Sequence, residues 1–210
     1  MTTIENAIND LRAGRLLIVT DDEDRENEGD FVIPSEKVTP EIINFMSKEA
    51  RGLICVSLPE KRLKKLGIPP MTMNNSNHHG TAFYLSCEAK VGITTGISAY
   101  DRYLTIKKLI AFDSTNDDFV FPGHTFPLKA CPNGVLERRG HTEASADLAS
   151  LAGFLPSGVI VEIMDDNGQM ARLPKLKSIS KKFGIKIVTI DSIVKFRKSK
   201  HLTTSLYKEW

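Results

Sequence analysis

The chain has 210 residues, a length that suits one sizeable domain with a continuous core. Its 41% hydrophobic and 26% charged residues exclude a disordered or fibrous chain, and a formal net charge of +2 argues against a broad nucleic-acid footprint as the main function. The apolar runs are too short to span a membrane, the N-terminus shows no basic-then-apolar leader, and Cys55, Cys87 and Cys131 form no C-x-x-C pair; a cytoplasmic protein with reduced thiols is expected.

Ile4, Ala7, Ile8 and Leu11 recur at helical spacing before Gly14, so the chain opens on a helix. Arg15 to Thr20 reads as a buried strand and Phe31 to Ile33 as another, which sets the acidic run Asp21 to Asp30 on a loop between strands. Thr39-Pro40 starts a helix striped by Ile42, Phe45 and Met46. Leu53 to Leu58 reads as a strand, Pro59 to Leu66 as a short basic helix, and Pro69 to Gly80 as a polar loop. Thr81 to Cys87 looks extended, Gly92 to Gly96 forms a tight loop, and Tyr103, Ile106, Leu109 and Ile110 mark a helix. Pro122-Gly123-His124 reads as a loop, and Thr142 as the cap of a helix closed by Gly153. Gly158 to Met164 is a buried strand, Asp166-Asn167-Gly168 a turn, Pro174 to Phe183 a helix and Ile185 to Ile190 a strand, with Asp191 capping a last helix. This interleaving predicts an α/β (α+β) fold, a mixed sheet flanked by helices in one domain over residues 1–200, with a mobile tail over 201–210.

The run Asp21 to Asp30 packs seven carboxylates around Arg25, a density that calls for a compensating cation. Carboxylate oxygens suit Mg²⁺, which takes one or two protein ligands and leaves other acids free for proton transfer. Two other readings stand beside this one. One is a solvated acidic tip; the other is an EF-hand-like calcium loop from Asp24, with Gly29 at its sixth position but Ser35 where a bidentate glutamate belongs.

Arg138-Arg139-Gly140-His141-Thr142-Glu143 precedes a helix, and its arginines and free N–H groups make an anion cradle. His141 adds an imidazole for metal or proton. Thr94-Thr95-Gly96 is a weaker anion loop, His124 a loop histidine, and Glu162 a carboxylate on an apolar strand, where it calls for a partner or a use. Cys55 reads first as a core thiol and His78-His79 as a surface feature. The lysine-rich stretch Arg172 to Lys200 reads as a solvated face, with RNA binding as the non-enzyme alternative.

Taken together, these stretches resemble the 3,4-dihydroxy-2-butanone 4-phosphate synthases of riboflavin biosynthesis over nearly the whole chain. The resemblance is carried by D-D-E-D-R-E-N-E-G-D at Asp21, G-L-I-C at Gly52, T-T-G-I-S-A at Thr94 with Asp101-Arg102, P-G-H at Pro122 and R-R-G-H-T-E-A at Arg138. Asp147-Leu148-Ala149 through Ala152-Gly153, and Glu162, continue it. It implies a mixed α/β fold, a homodimer with sites near the interface, and a lyase that converts ribulose 5-phosphate to a four-carbon ketone phosphate and formate with Mg²⁺ or Mn²⁺. By matching positions, Glu26 and His141 hold the metal. Arg25, Glu26, Asp30, Arg138, Arg139, Gly140, His141, Thr142 and Glu162 contact substrate, and His124 and Glu162 form the catalytic pair. Glu28, Cys55 and Thr95 are further positions near the site. Tyr84, Tyr100 and Tyr103 depart from the family pattern and are expected to alter local substrate contacts. No cysteine-rich zinc domain follows, so the GTP cyclohydrolase activity of bifunctional relatives is expected from another chain.

Overall fold

The Thr3 hydroxyl accepts the Asn6 N–H and opens α1 (Ile4–Arg12), which buries Ile4, Ala7, Ile8 and Leu11 as their spacing requires. A computed structural model describes residues 1–207. Over that range β1 (Leu17–Thr20), β2 (Gly29–Pro34), β3 (Cys55–Pro59), β4 (Cys87–Ala89), β5 (Phe119–Ala130), β6 (Gly158–Glu162) and β7 (Lys186–Thr189) form one sheet in the order β4-β5-β3-β6-β2-β1-β7. The sheet is mixed: β1 and β7, and β3 and β5, run parallel, while the other neighbours are antiparallel.

Side chains alternate across the strands, so the sheet divides the core into two apolar layers rather than the single continuous one expected from length. Phe31, Ile33, Val56 and Val161 face one way, packing with residues of α2 (Pro40–Glu49), α3 (Glu60–Lys65), α4 (Ala99–Ile110) and α6 (Leu173–Phe183). Val19, Val32, Cys55 and Ile160 face the other, against α1, α5 (His141–Leu151) and α7 (Ile190–Ser199). The acidic loop joins β1 to β2, as expected.

Four local expectations change. Pro122-Gly123-His124 lies inside β5 rather than in a loop, yet Phe121 to His124 bulge out between Val120, opposite Glu88, and Thr125, opposite Cys87. A proline is tolerated there because no ladder N–H is needed. Thr81 to Cys87 contributes isolated bridges at Phe83 and Tyr84 before the short β4, not a continuous strand. The cap of α5 is Gly140, not Thr142, and that of α7 is Thr189, whose side chain and Ser192 form a reciprocal capping box; Asp191 falls in the first turn. At the start of the expected tail, the buried Arg197 guanidinium donates to the carbonyls of Leu202 (3.1 Å) and Thr204 (2.7 Å). The last three residues of that tail lie outside the described range.

Candidate active site

Strand register assembles the floor of the site. Asp30, at the start of β2, pairs with Glu162, at the end of β6, while Cys55 of β3 pairs with Ile160 of β6 and Phe126 of β5. Asp30 and Glu162 share the sheet face of Val32 and Ile160, the face that α5 covers. Here a cavity of about 250 Å³ opens, lined by Arg25, Glu26, Glu28, Asp30, Cys55, Asn77, Thr81, Phe83, Leu128, Arg138, His141, Thr142, Ile160 and Glu162.

The acidic loop is folded by its own first residue. One Asp21 oxygen accepts from the Arg25 guanidinium (2.8 Å) and the Glu26 N–H (3.0 Å), and the other accepts the Glu28 N–H (2.9 Å). Asn27 adopts a left-handed φ of +54°, and the residues on either side of this turn, Glu26 and Glu28, both line the cavity. Glu26 Oε2 lies 2.6 Å from Arg25 Nη1 and 3.4 Å from His141 Nδ1, and His141 Nε2 lies 3.9 Å from Asp30 Oδ1.

These contacts shift the titrations. Burial pushes the Glu26 carboxyl upward, but the His141 hydrogen bond and the Arg25 charge outweigh it and hold the group at about 2. Burial raises Asp30 to about 7 despite the nearby His141, and raises Glu28, with the Glu26 charge adding to it. Burial alone would lower His141, but Asp30 and Glu26 carry it up to about 9. Burial also drives the Cys55 thiol well above its usual range, which makes it an inert part of the wall.

Asp21, Glu26 and His141 each offer a ligand atom within 4.8 Å of the others. Asp21 is already committed to the loop. With Asp21 so engaged, Glu26 and His141 could hold a divalent cation, and two adjacent buried atoms, Asp30 Oδ1 and His141 Nε2, have no hydrogen-bond partner among the described residues. Carboxylate oxygen donors of this kind suit a hard cation such as Mg²⁺. Glu162 is held by the Leu53 N–H (2.8 Å), and a Cβ on the neighbouring Gly52 would stand 2.3 Å from the Glu162 carbonyl oxygen. Only glycine allows that approach. Above the cavity, α5 starts at Gly140 without a side-chain cap, so its first N–H groups are available to an anion.

Residues 5–196 match the family model described as 3,4-dihydroxy-2-butanone 4-phosphate synthase. The chain belongs to this family. It is 59% identical over 197 residues to the riboflavin biosynthesis protein RibBA of Aquifex aeolicus, an alignment covering 93% of this chain and 48% of the relative. It is 49% identical over 196 residues to the 3,4-dihydroxy-2-butanone 4-phosphate synthase of Shewanella sediminis, covering 93% of this chain and 90% of that one. The chain thus spans about half the length of the RibBA relatives it matches. Among solved structures, a 3,4-dihydroxy-2-butanone 4-phosphate synthase in complex with two magnesium ions superposes with a TM-score of 0.92 at 37% identity, covering 97% of this chain and 100% of that one.

The cavity gathers most of the residues singled out in the sequence and leaves out four. Arg139 turns outward to Asp22 (2.9 Å) and Asp191 (3.1 Å), and Gly140 serves as the α5 cap. Thr95 is exposed on a loop whose neighbouring Thr94 and Gly96 N–H groups are taken by Asp101, so that loop is not free to bind an anion through them. His124 is half-exposed on the β5 bulge, hydrogen-bonded to Glu88, and does not line this chain's cavity. Arg138 does line it, but is engaged by Glu143 (2.6 Å), Thr81 Oγ1 (2.9 Å) and the His79 carbonyl (3.1 Å). Tyr84 is buried in the layer with α2, while Tyr100 and Tyr103 lie on α4 outside the cavity. Sequence reasoning missed Asn77, Thr81 and Phe83 as wall, for which irregular loop sequence carries no periodic signal, and Asp21 as the loop's organiser, which is one acid among seven.

Proposed function

We propose that this chain is a lyase that converts D-ribulose 5-phosphate to L-3,4-dihydroxy-2-butanone 4-phosphate and formate in riboflavin biosynthesis. The observation that carries the reading is one cavity holding a cation-ready pair, Glu26 and His141, beside a backbone-held acid, Glu162, under the uncapped start of α5. Magnesium held by Glu26 and His141 would supply charge stabilisation to vicinal oxygens of the sugar. The helix start at His141 and Thr142, together with Arg25 and Arg138, gives the cavity its anion-binding side, suited to the phosphate. Asp30 and Glu28 offer acceptors for sugar hydroxyls.

The reaction needs no oxidant. Removal of the C3 proton, made acidic by the C2 ketone, allows the C1 hydroxyl to leave as water. Migration then breaks the C4–C5 bond as C5 joins C3, and hydration at C4 returns that water before the C3–C4 bond breaks and C4 departs as formate. Each step moves protons at a different oxygen, so one base could not easily serve them all. Glu162 provides one proton carrier. We assign the second to His124 of another copy, supplied across a homodimer interface. Glu88 both bonds His124 and packs against Gly96, and the adjoining loop exposes Val91 (82%) and Ile97 (52%), apolar surface that a second copy could cover while bringing Thr95 alongside.

The test is formate release from ribulose 5-phosphate with Mg²⁺. Wild-type protein is expected to release formate, and Glu26→Gln to lose at least about 10²-fold in rate while keeping its thermal unfolding. Folded protein that binds Mg²⁺ but releases no formate would sink the reading.

A further inference from the structure

Arg172 stands just before α6, on the outside of the acidic loop, and does not line the cavity. Its Nη1 donates to the Glu26 carbonyl (2.8 Å) and also to the Asn27 carbonyl. These two carbonyls flank the left-handed turn at Asn27 that separates Glu26 from Glu28. A second contact from the same helix fixes the loop's exit. Leu176 packs so closely on Gly29 that a Cβ there would come 2.5 Å from its Cδ1, and the Gly29 carbonyl accepts the Ile163 N–H (3.0 Å).

We propose that Arg172 is a positioning residue for the reaction: from outside the cavity it holds the Asn27 reversal, so that the Glu26 and Glu28 carboxylates both point inward. The argument is geometric. A non-glycine residue at positive φ is held only when its surroundings over-determine it. Asp21 grips the loop from inside through the N–H groups of Glu26 and Glu28, and Arg172 grips it from outside through the carbonyls of Glu26 and Asn27, so the Asn27–Glu28 peptide is held at both its N–H and its carbonyl. Removing the outer grip leaves Glu26 with its partners but frees the turn that aims it. This inference rests on the metal and lyase reading above, and its test has a readout that does not need turnover.

Full-length Arg172→Gln and Arg172→Lys are compared with wild type by Mn²⁺ titration, by kcat and KM for ribulose 5-phosphate, and by thermal unfolding. Arg172→Gln is expected to weaken Mn²⁺ binding and lower kcat by about 10-fold to 100-fold, with the unfolding temperature held within a few degrees, as for other residues that orient metal ligands. Arg172→Lys, which can still donate to a carbonyl, is expected to recover part of both. Wild-type Mn²⁺ affinity and kcat in Arg172→Gln would overturn the proposal. So would a loss that tracks a fall in unfolding temperature and is not recovered by lysine, because that marks a brace for the fold alone. If the wild-type protein binds Mn²⁺ without releasing formate, the lyase reading fails while the titration still decides the role of Arg172.

Discussion

At the scale of single residues, His141 carries the largest consequence, because against the cost of burial Asp30 and Glu26 favour its charged form. Its folded value near 9 lies above the ordinary 6.5, so its contribution to stability is full below pH 6.5 and is lost as pH rises through 9. Asp30, raised to about 7 by burial, loses its preference for the neutral form over a lower range, in the same direction. The metal-free protein is therefore expected to become less stable between pH 6.5 and 9. A cation can replace the proton on His141 only once that proton has left, so Mg²⁺ affinity is expected to rise over the same interval. Unfolding temperatures with EDTA and with Mg²⁺ at the two pH values check both statements; a stabilisation by Mg²⁺ that does not grow with pH would contradict them. Gly52 gives a second test away from the charges. Gly52→Ala drives a Cβ into the Glu162 backbone, and kcat is expected to fall by at least about 10-fold as that carboxylate is displaced, a loss that steady-state kinetics reads directly. These residues differ in how plainly the sequence announces them. His141 and Glu162 could be named because a helix start and a charged residue in an apolar strand are local signals, whereas Glu26 is one acid among seven and only the family resemblance picks it out. Asp21 and Leu53 act through backbone N–H groups brought close by folding, which no local pattern encodes.

Among the elements, α5 ties the site to the rest of the protein. It is buried from His141 to Ala149, and its two buried acids are anchors rather than solvent-facing charges. Glu143 takes Arg138 (2.6 Å) and the Cys131 N–H (3.1 Å), while Asp147 takes Arg197 (2.7 Å) and the Val135 N–H (3.0 Å). Because the Asp147 and Arg197 side chains are both 0% exposed, Asp147→Ala leaves a guanidinium buried without its counter-charge. Such a loss is expected to cost about 3–5 kcal/mol in unfolding free energy, measurable by urea titration, and a cost below about 1 kcal/mol would mean that the pair is not what anchors the helix. The helix itself was legible from its apolar spacing and the closing Gly153. Its anchors were not, since Asp147 and Arg197 are 50 residues apart and meet only when α7 packs beside α5. The β5 bulge shows the complementary limit: Pro-Gly-His correctly marks a break in the ladder, but whether the chain leaves the sheet or bulges within it depends on the strand alongside.

For the molecule as a whole, one chain supplies only part of the constellation that its sequence suggested. The acidic loop, the α5 start and Glu162 converge on a single cavity, whereas His124 and Thr95 sit around Glu88 on the other edge of β5, beside exposed Val91 and Ile97. In the proposed shared site, a second copy related by a two-fold axis would bring them together and would complete both cavities at once. That arrangement makes a numerical prediction. Glu162→Gln and His124→Ala should each abolish formate release when assayed alone. If the two variants are unfolded together and refolded as a mixture, random pairing makes about half of the dimers hybrids. Each hybrid then has one site carrying both lesions and one carrying none, so the mixture should recover about a quarter of wild-type activity. Sites completed within one chain would recover nothing on mixing, because every site would retain one lesion. The ratio of recovered to wild-type formate release therefore separates a shared site from a private one.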